Sequence, residues 1–321
     1  MRVCGAPVDS PSPFRDGGCR RIRLAETRPG GAGAVVIVRA PASTANLGPG
    51  FDCAAAALDL WNELHVEEGE HEVVVEGEGA GDLPTGDGHL ALRAFSLVAP
   101  VERFRFRFVN RIPLERGLGS SAATIAGALV AGTALTGHDV PADELLRLGL
   151  ELEGHADNLA AALRGGVCLI WQNGAGPHAA RIAADLPLAP IVVLPERRVN
   201  TSKSRGRLPE TLPHHEAAAA AAQAALLGAA VASGDAKLLA DAFHDRLHEP
   251  YRAPDAPLLE ELRADPVPGQ AGVTLSGSGP SVVVWTERTR PGSDAVTELQ
   301  RRYPDARVLP LQIAAQGARA E

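Results

Sequence analysis

Residues 113–137 read PLERGLGSSAATIAGALVAGTALTG. A glycine–serine turn leads straight into a long run of small apolar residues, and the alternating stretch RFRFRFVNRI comes before it. Strand, glycine turn and small-residue helix in that order require a mixed fold. Glycines let backbone turn sharply and approach a ligand closely. A helix beginning at Ser120 and Ser121 would aim its unpaired N–H groups and dipole at the loop, where an anion such as phosphate is favoured. The serine hydroxyls add donors and acceptors. A serine-capped helix after a plain turn is the competing interpretation. The lysine of the nucleotide loop G-x-x-x-x-G-K-[ST] is missing. A dinucleotide turn fits poorly too: GLGSSA lacks a third glycine, and the expected acidic position falls in a turn near Gly137–Asp139.

Elsewhere strands and helices alternate. Residues 35–39 read as a buried strand that Pro41 helps to end, followed by strands in LDLWNELHVEE and HEVVVEGEG and a short helix in HLALRAFSLVA. In residues 103–112, Phe104, Phe106 and Phe108 alternate with Arg103, Arg105 and Arg107, the pattern of a half-buried strand with a solvated basic face. PADELLRLGLELEG is a helix, and GGVCLIW and APIVVLP are strands. An alanine-rich helix covers residues 215–232, and DAKLLADAFHDRLHEPYR continues as helix to Pro250. APLLEELRAD is helical, GVTLSGSGPSVVVWTE is strand–turn–strand, and DAVTELQRRY and ARVLPLQIA close the chain. A seam near ADLPLAP divides it into residues 35–184 and 185–316, after a Pro- and Gly-rich, disordered extension over 1–34.

Lys plus Arg number 31 and Asp plus Glu 39, a net charge of −8, which argues against a nucleic-acid partner. No apolar run approaches the roughly 18 residues of a membrane span. Cys4, Cys19, Cys53 and Cys168 have neither metal-ligand nor redox spacing, so a reducing cytoplasmic setting is expected.

The whole stretch PLERGLGSSAA resembles the phosphate loop P-x-x-x-G-L-G-S-S-A of the GHMP kinases (galactokinase, homoserine kinase, mevalonate kinase, phosphomevalonate kinase), which uses backbone amides and no lysine. Three further segments resemble the homoserine kinase branch, PASTANLGPGFDCAAAALDLWNE (41–63), EGHADN (153–158) and HDRLHEPYRAP, and VTLSGSGPSVVV (273–284) resembles the third motif of the superfamily. Together they cover most of residues 35–290 in family order.

The resemblance implies an α+β, two-domain GHMP kinase fold. Its N-terminal half would be ribosomal-protein-like, its C-terminal half ferredoxin-like, with the active site between them. It implies ATP-dependent phosphorylation of the L-homoserine hydroxyl to O-phospho-L-homoserine, a step of threonine biosynthesis, with Mg2+ and in a homodimer. ATP would be held by Pro113, Leu114, Glu115, Arg116, Gly117, Leu118, Gly119, Ser120, Ser121, Ala122 and Ala123. Glu115 is an acid where relatives often carry a small residue, so its side chain should point away from the triphosphate. Ser121 or its neighbour and Glu153 would hold magnesium, with Glu151 as the alternative carboxylate. Thr201 and Arg205 match a threonine–arginine pair spaced by four, and Arg252, with Arg246 as fallback, supplies the second arginine for the substrate carboxylate. Asn46, Asp52, His155 and Asp157 would line the pocket, Asp52 or Asp157 facing the ammonium. Asn158 stands where mevalonate kinase-like members carry a catalytic aspartate. It would orient the hydroxyl while the proton passes to phosphate or solvent.

Overall fold

The computed structural model describes residues 35–174, 176–197, 204–288 and 293–321. The extension over 1–34 and Thr201 lie outside the described residues.

The first half supplies six strands of a seven-stranded sheet. Strands β1 (Val35–Ala45), β2 (Ala54–Glu68), β3 (Glu72–Gly77) and β4 (Phe104–Asn110) are followed, after three helices, by β5 (Val167–Asn173) and β6 (Gly176–Ala183). β1 does not end at Pro41 as the sequence suggested. It runs on to Ala45, and its register on β2 shifts between Pro41 (opposite Trp61) and Ala42 (opposite Leu58). Proline has no N–H to give a ladder, and a bulge is where a strand tolerates that.

Helices α1 (Leu90–Phe95), α2 (Ser120–Thr136), α3 (Ala142–Gly149) and α4 (Ala156–Arg164) cover this sheet. The alternation in β4 works as expected. Phe104, Phe106 and Phe108 enter a core with Phe95, Ile125 and Leu129. On the opposite face Arg103 pairs with Glu68, Arg105 with Glu67 and Arg107 with Glu76. The basic stripe is thereby neutralised within the sheet.

The second sheet contains β7 (Leu188–Leu194), β8 (Gln270–Leu275), β9 (Val282–Glu287) and β10 (Arg307–Pro310) in the order β10-β7-β9-β8, all antiparallel. That fourth–first–third–second order is ferredoxin-like. A final strand, β11 (Arg319–Ala320), returns to the first sheet beside β1.

Three helical features depart from the sequence expectation or extend it. The alanine-rich helix α5 (His214–Ser233) stops at Gly234, whose φ of 67° is left-handed. Asp235 then caps a separate α6 (Ala236–Ala242), accepting from the N–H of Lys237 and Leu238. The single helix expected up to Pro250 is thus broken. Residues 243–248 are not helical, and the Asp245 carboxylate accepts from the N–H groups of Leu247, His248 and Glu249 to start the short α7 (Glu249–Arg252). In addition, contrary to the expectation that no apolar run approaches the length of a membrane span, α5 is long and apolar enough by length and composition to cross one, at a mean hydropathy of 1.3. Alanines raise its hydropathy, while Leu227, Ala230 and Val231 seat it on a core that includes Leu58, Phe243 and Trp285. Helices α8 (Pro257–Ala264) and α9 (Ser293–Arg302) complete the second half.

Candidate active site

A cleft of about 500 Å³ opens where the two sheets meet. Its walls come from the loop after β1, the glycine–serine loop, the start of α4, Arg205, Arg252 and the turn between β8 and β9.

The glycine–serine loop is anchored from behind. The carbonyls of Arg116 and Gly117 accept from Ser281 Oγ (2.6 Å) and Ser276 Oγ (2.7 Å), and that of Leu118 accepts from Ser43 N–H (3.0 Å). Three successive carbonyls are thus satisfied by surrounding groups, and the first-turn N–H groups of α2 have no intrahelical acceptor. Gly119 is the N-cap, with φ of 65° and no side-chain capping bond. The helix is therefore not capped by its own serines, and a ligand is the natural partner for that turn. A Cβ at Gly117 would overlap the Ser276 carbonyl oxygen, and one at Gly119 would overlap Ser43 Oγ. Pro113 through Ser121 all line the cleft; Ala122 and Ala123 do not, being buried in the core behind it. Ser121 is exposed, whereas Ser120 is buried. Glu115 is exposed on the cleft wall, with a φ of 56°. Arg116 Nη1 donates to the Pro195 carbonyl, joining the loop to the end of β7.

The other end carries the charged groups. The Arg205 guanidinium forms two parallel hydrogen bonds to the Asp52 carboxylate, Nη1 to Oδ2 at 3.0 Å and Nη2 to Oδ1 at 2.8 Å. Arg252 is buried; its Nη1 donates to the Gly277 carbonyl and to His248 Nδ1, both at 3.2 Å. Burial pushes Arg252 down to about 10. Both guanidinium groups lie over the Phe51 ring, 5.4 and 5.3 Å from its centroid. Burial also pushes His248 down to about 4, so its ring is neutral at pH 7. Its Nε2–H donates to the Gly48 carbonyl at 2.9 Å, which leaves Nδ1 to accept from Arg252.

Asn46 ties the loop together: its Nδ2 donates to the Gly277 carbonyl at 3.2 Å, and its Oδ1 accepts from the Asp52 N–H at 3.1 Å. Asp157 is buried, and desolvation, aided by the Asp52 charge, pushes its carboxyl up to about 6. Asn158 Oδ1 accepts from Ser43 Oγ at 2.9 Å. His155 Nδ1 meets Glu153 Oε1 at 3.1 Å, and that hydrogen bond raises the histidine pKa.

The profile of the GHMP kinases N terminal domain matches residues 89–166. The chain is 39% identical to a homoserine kinase of Moorella thermoacetica over 79% of this chain and 88% of the relative. It is 41% identical to a homoserine kinase of Streptomyces avermitilis over 83% of this chain and 90% of the relative. The chain belongs to the homoserine kinase family. A crystal structure of homoserine kinase from Cytophaga hutchinsonii superposes with a TM-score of 0.77 at 23% identity, covering 89% of this chain and 97% of that one, and shares its fold. The two-domain α+β GHMP kinase fold is the one the chain adopts.

Within this family framework, the cleft brings together Asn46, Asp52, Glu153, His155, Asp157, Asn158, Arg205 and Arg252. Glu151 is exposed and off the cleft wall, and Arg246 is a surface residue paired with Glu216. Three contributors were not evident from the sequence: Ser43 lies inside the motif PASTANLGPGFD but bonds a residue 115 positions away, Phe51 precedes Asp52, and His248 lies between Arg246 and Arg252. Among the described residues no cluster of three or more His, Cys, Asp or Glu could hold a metal ion. Magnesium at a kinase site needs only one or two protein oxygens besides phosphate, and the Ser121 hydroxyl and Glu153 carboxylate, both on the cleft wall, fit that donor set.

Proposed function

We propose that this chain transfers the γ-phosphoryl group of ATP to the hydroxyl of L-homoserine, giving ADP and O-phospho-L-homoserine for threonine biosynthesis. One observation carries this assignment: two arginine forks and two aspartates converge beside an uncapped helix N-terminus, a zwitterion site next to a phosphate site. The curated relatives above bear the name homoserine kinase.

The α2 N-terminus and the loop from Pro113 to Ser121 bind the triphosphate through backbone N–H groups. Ser121 and Glu153 would hold magnesium, which when bound would neutralise phosphate charge. Arg205 and Arg252 bind the substrate carboxylate, and Asp52 and Asp157 receive its ammonium. Asn158, its oxygen held by Ser43, turns its N–H₂ toward the hydroxyl. Placement and charge neutralisation supply the acceleration, and the hydroxyl proton leaves to phosphate or solvent. The free thiols Cys53 and Cys168 suit a cytoplasmic enzyme. We also propose a homodimer, which light scattering tests directly.

A coupled assay of ADP release, run with L-homoserine, with mevalonate and with neither, tests the assignment. Release that depends on L-homoserine is expected. Release with mevalonate in its place, or none with either, overturns it.

A further inference from the structure

The two residues assigned to opposite charges of the substrate are bonded to each other. Both Arg205 Nη atoms are engaged by the two oxygens of Asp52, at 3.0 and 2.8 Å. Asp52 is held in place for this: its backbone is left-handed at φ 57° and its N–H is bonded to Asn46 Oδ1. Arg205 and Arg252 share the Phe51 ring, so the Asp52 carboxylate sits where two guanidinium groups converge. A carboxylate in a two-pronged arginine fork is what the proposed substrate would itself present there.

We propose that Asp52 is an internal stand-in for the substrate carboxylate, displaced most readily by a ligand carrying both a carboxylate and an ammonium. This rests on the assignment above. A ligand with a carboxylate alone must evict Asp52 and leave that charge unpaired near the buried Asp157. A ligand with an ammonium alone must draw Asp52 away from Arg205 and leave the guanidinium unpaired. A zwitterion makes both exchanges at once: its carboxylate takes Arg205 and its ammonium takes Asp52. The ion pair then acts as a filter for α-amino acids, independent of the group that is phosphorylated. The pair is part-exposed, with side chains 40% and 27% accessible, so its competition should be measured in fold-changes and not in total exclusion.

The test compares wild type with Asp52→Asn, using L-homoserine, 4-hydroxybutyrate (no ammonium) and 3-aminopropan-1-ol (no carboxylate). Binding is read by calorimetric titration and turnover by ADP release. Asp52→Asn should weaken L-homoserine binding, because the ammonium loses its partner. The same change should tighten 4-hydroxybutyrate by about two- to fivefold, the scale of a part-exposed ion pair. It should not tighten 3-aminopropan-1-ol. If 4-hydroxybutyrate binding is unchanged or weakened along with L-homoserine, the stand-in role is wrong. Asp52→Ser removes the same charge with a smaller side chain and should give the same opposite shifts if Asp52→Asn folds poorly. Loss of L-homoserine turnover in wild type would refute the functional assignment, whereas the calorimetric shift of 4-hydroxybutyrate judges the stand-in without turnover.

Discussion

Ser43 Oγ donates to Asn158 Oδ1 at 2.9 Å, from β1 to the first turn of α4, and so holds the amide oxygen, while Nδ2 donates to Asp157 Oδ1 at 3.4 Å. Without the serine hydroxyl the amide oxygen loses this donor, and the amide keeps only the 3.4 Å hydrogen bond from its Nδ2. Ser43→Ala should lower kcat by about tenfold, the scale of one buried hydrogen bond, with both KM values little changed. Asn158→Ala should cost more, and the double variant no more than Asn158→Ala alone, because the two act as one unit. Steady-state kinetics on the three variants check this. Additive losses would show that Ser43 acts elsewhere.

Gly117 has φ of 77° and its Cα faces the Ser276 carbonyl. Gly117→Ala combines left-handed strain with backbone overlap, a cost of about 1–3 kcal/mol. The loop must move to relieve it, which misaligns the amides proposed to bind phosphate. KM for ATP should rise by about tenfold or more, since each 1.4 kcal/mol of lost binding is a factor of ten, while binding of L-homoserine alone is nearly unchanged. Calorimetric titration with each substrate separates the two effects.

Asp157 has a folded-state pKa pushed up to about 6 by burial, against 3.8 for an unperturbed carboxyl. The folded state therefore holds this proton more tightly than the unfolded chain. Its contribution to stability is full below about 3.8 and is lost as pH rises through about 6. Asp157→Asn should raise stability at pH 8 by on the order of 2 kcal/mol, and the gain should vanish near pH 4. Glu249, pushed up to about 7 by burial, keeps the same sense of pH dependence in the variant. Thermal melts across pH test this, and the variant should also bind L-homoserine less well. In wild type, kcat/KM for L-homoserine should fall as pH drops below about 6, as the carboxylate proposed to meet the ammonium becomes protonated.

Arg252 depends on its planar fork, stacked over Phe51 and bonded to His248. Arg252→Lys keeps the charge but loses that geometry. KM for L-homoserine should rise by about tenfold or more, the range of losing a hydrogen bond to a charged group, and KM for ATP should stay nearly constant. Arg205→Ala should act in the same direction. Equal changes in both KM values would refute the carboxylate role of these arginines.

What was legible in the sequence was local. The alternation of Phe104, Phe106 and Phe108 with arginines marks a strand whose aromatic face goes inward, because side chains of a strand alternate between faces. The order Gly117, Gly119, Ser120 marks a turn entering a helix, because only glycine enters that turn without strain. The motifs around these elements carried the family. Pro41 and the stretch from Gly234 to His248 misled, since a bulge opposite Trp61 and the Asp245 carboxylate override local preference there. The contacts that make the site were not legible. Asp52 meets Arg205 across 153 positions, and Asn46 meets Gly277 across 231. Local pattern reports which way a residue faces on its own element. Which charge it neutralises depends on how the two sheets close over the cleft, and that is settled by packing between segments far apart in the chain.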